Sequence, residues 1–429
     1  NIIQAPLKQI YVTKINTSDL DDYSNLYDHY IGSGDIGGSN WPSSGTYGQN
    51  KELYPIASDD DLVGNAGSNV TSVDVNGVTR PQGTASDIGA YEYRNTWVGG
   101  TSTDWDTAAN WSLSQVPSAT SAYDSPRIAD VSSGSGNNPV ISTDITIDNL
   151  QIDNGGILTI QQTGSLELTE NLINNGTLTM ESNSLNFSSL IVQGTSDGQY
   201  VHLDDGTNST KHSGNITYKR HVADEGTDEW DFIGSPVVGQ DLQSLIDNNS
   251  SLATNASLVA IGPYDNSAVG GDADTSNMYT YYNATGNSGT VLSSGKGYVM
   301  ATDEGSTSAT VDFTGTISTK NISFTIDDAS SINTNYGKFN LVSNPFPSFL
   351  NANATADTNN NFLTVNGSNL HSSFAAVYAY NGDGTFATKT NANTDGTQLH
   401  IAPGQGFFVA SDDVNGNTIT FTEAMQTNS

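Results

Sequence analysis

The sequence of 429 residues contains no cysteine, so neither disulfide bonds nor thiolate chemistry can contribute to its fold or function. It also has few basic residues: 13 Lys+Arg stand against 46 Asp+Glu, which gives a formal net charge of −33 at pH 7. Contacts with nucleic-acid phosphates and docking on anionic lipid both need clustered basic residues. We therefore expect no nucleic-acid partner and no attachment to an acidic membrane surface.

Long apolar runs and long amphipathic helices are missing as well. No stretch approaches the roughly 18 apolar residues of a membrane-spanning helix, so we expect no direct insertion into a membrane. Charged residues make up only 14%, and the abundant Asn, Ser, Thr, Gly and Asp favour turns over helix interiors. The 19 Tyr, 13 Phe and 5 Trp argue against disorder. The composition predicts an all-β protein of several domains, with residues 240–247 as the best candidate for a short helix.

What the sequence does contain is a pattern that occurs twice in its second half. Three landmarks recur at one spacing of 109 positions: Trp230 and Phe339, Pro236 and Pro345, and Gly297 and Gly406. A shared spacing of this kind predicts a duplicated domain. Alternating apolar residues predict an antiparallel β-sandwich for each copy, over residues 214–327 and 333–429.

Two further features of the duplication can be interpreted from the sequence. We align the Tyr279/Tyr281 strand of the first copy with the Tyr378/Tyr380 strand of the second. The two Gly-x-Gly motifs, at residues 295–297 and 404–406, precede apolar strands rather than helices, so they are not phosphate-binding loops. We interpret their glycines as relieving crowding at a bulge or a tight turn.

Residues 140–203 contain short alternating strands separated by Asn-Gly and Thr-Gly turns. Each short strand buries little on its own, but stacked coils would form a continuous core in which Asn and Thr at the corners could form ladders. We predict a short β-solenoid over residues 95–205. Its start is rich in tryptophan, and Trp105 and Trp111 either cap the open end of the solenoid or stack against sugar rings. With Trp41 and Tyr281, they are our candidate carbohydrate-binding residues.

Oxygen-rich loops are the candidate metal sites. Asp228 and Glu229 lie in the densest acidic run, and Asp412, Asp413, Asn415 and Asn417 place oxygen ligands at odd spacing before a turn. We interpret these six residues as candidate Ca²⁺ ligands, with a solvated acidic loop as the alternative. The six histidines show no zinc-binding spacing.

Three segments resemble parts of known bacterial proteins. Residues 80–93, which contain Arg80-Pro81 and Asp-Ile-Gly-Ala-Tyr-Glu, resemble the closing segment of right-handed parallel β-helix proteins from Bacteroidetes. The Trp-x-Gly…Asn-Trp…Pro pattern that begins at Trp97 is similar to the start of β-solenoid segments in bacterial surface proteins. Residues 342–348 and 401–409 resemble modules of large secreted Bacteroidetes proteins that use the type IX secretion system.

These resemblances imply a fold and a location. Residues 1–94 would be the C-terminal end of a parallel β-helix, most of which lies upstream of Asn1 in a longer chain. Export by the type IX secretion machinery would place the protein outside the cell or on its surface. Asp106-Thr107-Ala108 matches the Bacteroidetes O-glycosylation pattern, which makes Thr107 a candidate glycosylation site.

The sequence shows no catalytic constellation, so we predict a non-catalytic structural or adhesive segment of a large secreted or surface-attached protein: a stalk, a surface fibre or an adhesin. One alternative is the carbohydrate-binding region of a polysaccharide-degrading enzyme, with polysaccharide or cell-surface glycans as partners. The second alternative is the C-terminal part of a β-helix polysaccharide lyase.

Overall fold

The computed structural model describes residues 93–120, 123–134, 136–193, 212–226, 230–268, 278–305, 309–318, 320–381, 384–391 and 396–428, with Arg80 and two N-terminal strands. These residues form mainly short strands in several sheets, so the predicted all-β class is confirmed. The helices of these ranges are α1 (Leu242–Asn248), α2 (Phe362–Asn366) and the 3-10 turns Ala108–Asn110, Gly367–Asn369 and Glu423–Met425. None of them has the length and apolar character that crossing a membrane requires.

The two N-terminal strands, β1 (Ile2–Gln4) and β2 (Ile10–Val12), pair antiparallel. The other residues of the predicted β-helix segment, up to position 92, lie outside the described residues apart from Arg80. The predicted β-helix end at residues 1–94 therefore stays a prediction.

The described residues between positions 96 and 221, which we call the parallel-coil segment, form three sheets whose strands here all pair in parallel. The first sheet holds β3 (Thr96–Trp97), β4 (Arg127–Ile128), β7 (Leu150–Ile152), β10 (Leu172–Asn174) and β13 (His212–Ser213). The second holds β5 (Val140–Ile141), β8 (Ile157–Ile160), β11 (Thr177–Glu181) and β14 (Ile216–His221). The third holds β6 (Asp144–Ile147), β9 (Ser165–Leu168) and β12 (Ser189–Val192).

Side chains at equivalent positions of successive coils stack on one another. Leu158 lies opposite Leu178 across β8 and β11, and both are buried, because alternate residues of a strand point to the same face. A polar ladder runs beside this core: the amide of Asn149 donates to Ser125 Oγ at 3.1 Å, and Asn171 donates to Asn149 Oδ1 at 3.2 Å. These buried amides satisfy one another, as buried polar groups must.

Carboxylates also stack in this segment. The backbone of Asp148 bonds to Asp124 on one side and to Glu170 on the other, so three acidic residues occupy consecutive coils. Burial raises the pKa of Asp148, and the charges of Asp124 and Glu170 raise it further, against a hydrogen bond from Thr169 that lowers it. The charged form of Asp148 is therefore disfavoured in the folded protein.

We expect Asp148→Asn to raise the thermal midpoint at neutral pH, because it removes a charge that the fold disfavours. A raised pKa means that the folded state binds the proton more readily than the unfolded state, so stability falls as pH rises through the range above the ordinary pKa of 3.8. The gain in thermal midpoint over the parent should shrink as the pH is lowered from neutral, because Asp148 of the folded parent then becomes protonated and loses its charge. Thermal scans between acidic and neutral pH measure it. Asp144→Asn is the control, since Asp144 accepts a bond from Ser165 at 2.7 Å but is exposed; an equal gain there would contradict the explanation.

The second sheet of the coil continues into the first repeat. Strand β14 pairs in parallel with β11 and antiparallel with β20 (Thr310–Gly315). One cluster of buried hydrophobic side chains contains residues of both segments, from Trp97 to Ile317. The break that we predicted between residues 205 and 214 thus separates two segments that share a sheet and a core.

The two repeats have related sheets. The first holds β15 (Asp231–Ile233), β19 (Tyr298–Met300), β18 (Ile261–Pro263) and the hairpin β16 (Thr254–Asn255) and β17 (Leu258–Val259). The second holds β22 (Phe339–Ser343), β27 (Gly406–Ala410), β24 (Val377–Tyr380) and β25 (Phe386–Lys389) in one sheet. Further pairs are β21 (Ile322–Ile326) with β28 (Asn417–Phe421), and β23 (Phe349–Asn351) with β26 (His400–Ile401) and β29 (Gln426–Thr427). The second repeat has its own core.

The alignment of the two Tyr-x-Tyr strands was wrong by one strand. Tyr378 pairs with Phe408 of β27. The counterpart of Phe408 in the first repeat is Val299, and Val299 pairs with Gly262 of β18 rather than with Tyr279. Tyr279 instead bridges Tyr264, the residue that directly follows β18. Insertions between the landmarks shift this part of the sequence, so two similar tyrosine patterns come from strands that are not equivalent.

An asparagine at the end of each α-helix binds the free edge of one strand, β20 in the first repeat and β28 in the second. Asn249 accepts from the backbone N–H of Asp312 at 2.7 Å and donates to its carbonyl at 3.1 Å. Asn366 makes the same two bonds with Thr420, at 2.7 and 2.9 Å. A side-chain amide thus replaces a neighbouring strand at β20 and β28, which otherwise would expose unpaired backbone groups.

Candidate functional site

The tryptophans at the start of the parallel-coil segment form a buried cluster. Trp97, Trp105 and Trp111 are each 1% exposed. The ring centroids of Trp105 and Trp111 lie 4.7 Å apart in an edge-on arrangement, and Trp111 Nε1 donates to the carbonyl of Trp105 at 2.9 Å. Edge-on contacts of this kind stabilise aromatic clusters beyond their burial.

Residues 104–119 cover the first strand of each sheet of the parallel-coil segment. Trp111 bridges Trp97 of β3, Asp104 bridges Val140 of β5, and the N–H of Ala119 donates to Thr146 of β6 at 2.8 Å. The open end of the coil is therefore capped, which agrees with the capping alternative. Trp105 and Trp111 present no exposed ring face, so their assignment as carbohydrate-binding residues is corrected. Trp41 lies outside the described residues.

The candidate calcium ligands near the C-terminus make hydrogen bonds or strand contacts within the second repeat. Asp413 Oδ1 accepts from the N–H of Asn415 at 2.8 Å, Asp412 Oδ2 accepts from Ser372 at 3.2 Å, and Asn417 pairs with Ile326 as the first residue of β28. Within the described ranges, no group of three or more His, Asp or Glu side chains is arranged to hold a metal ion.

The other two candidate calcium ligands, Asp228 and Glu229, lie outside the described residues, so calcium binding stays a prediction. Thr107, the candidate glycosylation site, donates its hydroxyl to Asp104 Oδ2 at 2.8 Å within the capping segment. Its glycosylation also stays a prediction.

The two repeats contact each other through reciprocal hydrogen bonds. The N–H of Gly234 donates to the carbonyl of Gly404 at 2.8 Å, and the N–H of Ser343 donates to the carbonyl of Gly295 at 2.9 Å. Gly234 and Ser343 are 109 positions apart, and so are Gly295 and Gly404. The second hydrogen bond is therefore the first one with the roles of the two copies exchanged. Two further bridges, Ile233 with Gln405 and Lys296 with Val342, obey the same exchange. The repeats are thus related by a pseudo-two-fold axis, as in an isologous dimer.

This contact explains the two Gly-x-Gly motifs. A Cβ atom on Gly297 would lie 2.5 Å from Leu341 Cγ, and one on Gly406 would lie 2.7 Å from the backbone carbon of Phe232. In both motifs the glycine lets one repeat approach a strand of the other. The first glycines of the motifs, Gly295 and Gly404, lie in turns at positive φ, as interpreted. The interpretation is incomplete for Gly297 and Gly406, because the crowding that they relieve comes from the other copy.

Aromatic side chains from both repeats fill this junction. Phe232 of the first repeat contacts Phe408 with centroids 5.1 Å apart, Tyr380 at 5.2 Å and Phe386 at 6.1 Å. Tyr264 contacts Phe408 at 4.8 Å. Phe408 is 7% exposed, whereas Phe386 at the margin is 43% exposed. We call Phe232, Tyr264, Tyr279, Tyr281, Trp230, Tyr380, Phe386 and Phe408 the aromatic junction.

Tyr281 is the one candidate carbohydrate-binding residue with a part-exposed ring in the described structure. Its centroid lies 5.4 Å from that of Trp230, and burial raises the pKa of its hydroxyl. Burial also raises the pKa values of Tyr264 and Tyr279, so the three phenols stay neutral at physiological pH. The junction can offer apolar ring faces and neutral hydroxyls, which suit a neutral ligand.

Sequence reasoning missed most residues of the junction. Phe386 and Phe408 come together with Phe232 only because the two copies face each other. The signal that was present is the apolar strand of the duplicated pattern, which begins at Trp230, together with the second Gly-x-Gly motif.

The fold and the junction define an all-β protein in which a parallel coil carries two tandem repeats. The sequence model of the family described as "Domain of unknown function (DUF8693)" matches residues 96–429, and the chain belongs to this family. The match begins at the first residue of β3, so the coil and both repeats form part of one family unit. No curated protein and no solved structure matches the chain.

Proposed function

We propose that this protein is a non-catalytic structural or adhesive segment of a larger extracellular protein, in which it acts as a rigid stalk. The observation that carries the proposal is the shared sheet, in which β14 joins the parallel coil to the first repeat. A domain boundary with few contacts would bend there, whereas a continuous sheet and core resist bending. The acidic, cysteine-free composition and the resemblance to type IX secretion cargo support an extracellular location.

A buried cation ties the three parts together. Arg220 on β14 is 5% exposed and donates from Nε to the carbonyl of Pro403 in the second repeat at 2.8 Å. Its guanidinium lies 4.3 Å from the ring centroid of Phe187 in the coil. Burial lowers the pKa of Arg220, which the nearby charge of Asp231 opposes. A buried cation needs such fixed partners, so it supports one defined arrangement of the coil and repeats.

The second repeat also touches the end of the coil directly. The N–H of Leu190 in β12 donates to the carbonyl of Pro347 at 2.8 Å, and Ser189 Oγ donates to Asn428 Oδ1 at 2.7 Å. The rings of Phe187 and Phe349 meet with centroids 6.5 Å apart. The last strands of the second and third coil sheets are thus covered, β14 by β20 and β12 by the second repeat, which suits a segment that must avoid edge-to-edge aggregation.

Force spectroscopy on the full chain tests the rigid-stalk proposal. We expect the coil and first repeat to unfold in a single step, because they share one core and one sheet. Separate low-force steps for the coil and the first repeat would contradict it. Release of new reducing or unsaturated ends from any polysaccharide would overturn the non-catalytic part and favour the lyase alternative.

A second candidate function is binding of a neutral polysaccharide at the aromatic junction. It is favoured by two part-exposed rings, Phe386 beside the buried Phe408 and Tyr281 beside Trp230. Sugar rings present C–H groups that pack on aromatic faces, and neutral phenols can hydrogen-bond hydroxyl groups. The net charge of −33 disfavours sulfated or uronic-acid chains.

If the junction binds a neutral polysaccharide, we expect Phe386→Ala to weaken that binding about tenfold, which corresponds to about 1.4 kcal/mol. The loss follows from removing a ring face on which a sugar would stack. Affinity electrophoresis in neutral glucans, mannans and xylans measures the effect. Phe374→Ala is the matched control, because Phe374 is 39% exposed but contacts Phe339 outside the junction. Equal loss in both variants, or no binding by the parent chain, would count against this function.

A further inference from the structure

Strand β21 of the second repeat has an open side along Ile322–Ile326, beyond which the Asn340 side chain binds the N–H and C=O of Asp327 at 3.1 and 2.8 Å. It pairs antiparallel with β28 over five residues, from Ile322 opposite Phe421 to Ile326 opposite Asn417. In the part of the chain that the structure describes, no strand pairs with its other edge. Such an edge presents a row of N–H and C=O groups that can pair with another strand.

The corresponding strand of the first repeat has that edge covered. Tyr218 of β14 lies opposite Phe313, as Ile322 lies opposite the equivalent Phe421, so β14 and β21 occupy the same place in their repeats. The free side of β14 is taken by β11 of the coil. As a result Tyr218 is fully buried, whereas Ile322 stays part-exposed. This position in the fold is therefore one that accepts an additional strand.

The residues of β21 are chemically palindromic about Phe324. The stretch reads Lys-Asn-Ile-Ser-Phe-Thr-Ile-Asp-Asp over positions 320–328. If a second β21 lies antiparallel with Phe324 opposite Phe324, Ile322 faces Ile326, Ser323 faces Thr325 and Lys320 faces Asp328. Apolar, hydroxyl and opposite-charge pairs of this kind each stabilise an antiparallel ladder.

We propose that two copies of this chain associate through β21, in an antiparallel two-fold ladder centred on Phe324. The ladder joins the β28–β21 pair of each copy into one four-stranded sheet. Two Lys320–Asp328 pairs flank it, and these provide charge complementarity in a chain whose overall charge is strongly negative. This inference goes beyond the stalk proposal and does not depend on the aromatic junction.

The composition of the strand agrees with self-association. Natural edge strands are commonly protected by Lys, Pro or a bulge, yet residues 321–326 contain neither a charged residue nor a proline. Ser323 and Thr325 are exposed, so the edge is not screened by long side chains. The like charge of the two copies should make association stronger at higher ionic strength, where repulsion between them is screened.

Register-specific cross-linking of the full chain tests the proposal. Since the chain has no cysteine, Ser323→Cys and Thr325→Cys each supply a single thiol. Directly opposite Cβ atoms lie roughly 4.5–5.5 Å apart, whereas the diagonal pairs lie roughly 7–8 Å apart, beyond the reach of an ordinary disulfide. We expect a mixture of the two variants to form disulfide-linked dimers on mild oxidation, and neither variant alone to do so. Cross-linking of one variant alone, or no cross-linking in the mixture, would overturn the proposed ladder.

Sedimentation equilibrium supplies an independent readout. The parent chain should show a concentration-dependent dimer that Thr325→Lys abolishes, because it places a charge of each copy in the uncharged centre of the ladder. Thr418→Lys is the matched control, since Thr418 lies opposite Thr325 on the covered strand β28 and is also exposed. A parent that stays monomeric, or equal loss of dimer in both variants, would contradict association through β21.

Discussion

Trp111→Ala is expected to lower the free energy of unfolding of the coil and first repeat by about 3–5 kcal/mol, the usual cost of truncating a fully buried large aromatic residue. Trp111 is 1% exposed and contacts Trp97 and Trp105, with ring centroids 5.0 and 4.7 Å away. Removing it opens a cavity and also loosens the segment that covers the first coil. The shared core should transmit this loss to the first repeat, because both belong to one cluster of buried residues.

Chemical denaturation monitored by far-UV circular dichroism measures this change, because the signal comes mainly from the backbone and not from the tryptophan that is removed. Trp230→Ala is the matched control, since Trp230 is a part-exposed tryptophan at the aromatic junction and should cost considerably less. A cost for Trp111→Ala no greater than that for Trp230→Ala would mean that the cap does not stabilise the coil. The same experiment separates capping from sugar binding, because a buried Trp111 affects stability and not a binding face.

Gly406→Ala is expected to destabilise the junction between the repeats by about 1–3 kcal/mol, the usual cost of overpacking a dense interface. The added Cβ would lie 2.7 Å from the backbone carbon of Phe232, and backbone atoms cannot move aside as a flexible side chain can. The reciprocal change, Gly297→Ala, should act in the same direction through Leu341. Its effect should be smaller, because the nearest atom belongs to a side chain and the nearest backbone atom, the carbonyl oxygen of Val342, lies farther away at 3.0 Å.

Differential scanning calorimetry tests this prediction. We expect the second repeat, which has a core of its own, to melt separately from the rest in Gly406→Ala. Gly100→Ala is the control, because no atom lies within 4 Å of the added Cβ and the change only restricts the unfolded chain. If Gly406→Ala melts like Gly100→Ala, the repeats do not depend on their close approach at this glycine.

Several features could be predicted from local sequence alone. The all-β class follows from a composition poor in helix formers, and the short helix at residues 240–247 is confirmed, with α1 spanning Leu242–Asn248. Asp241 accepts the N–H of Ser244 at 2.9 Å as its N-cap, a residue type that favours helix starts. The duplication was visible because Trp230 and Gly297 recur at one spacing. These signals lie within single strands or turns, so a linear reading detects them.

The candidate site could be predicted only in part. Tyr281 was identified because its strand is aromatic, but Phe386 and Phe408 gave no local signal of a shared surface. Trp105 and Trp111 were ambiguous for the opposite reason: aromatic residues close together in sequence suit a buried cap as well as an exposed platform. Burial depends on what packs above a ring, and that is decided by residues far along the chain.

The sequence by itself determined the class of fold, the stacked short strands and the existence of two copies, because strand alternation, turn residues and repeat spacing are local properties. Only the tertiary structure decided how these parts meet. The pseudo-two-fold junction brings Gly406 against Phe232, and the unequal surroundings of β14 and β21 leave one edge covered and the other open. Both results arise from contacts between distant segments, whose geometry depends on insertions and packing that a linear pattern does not record.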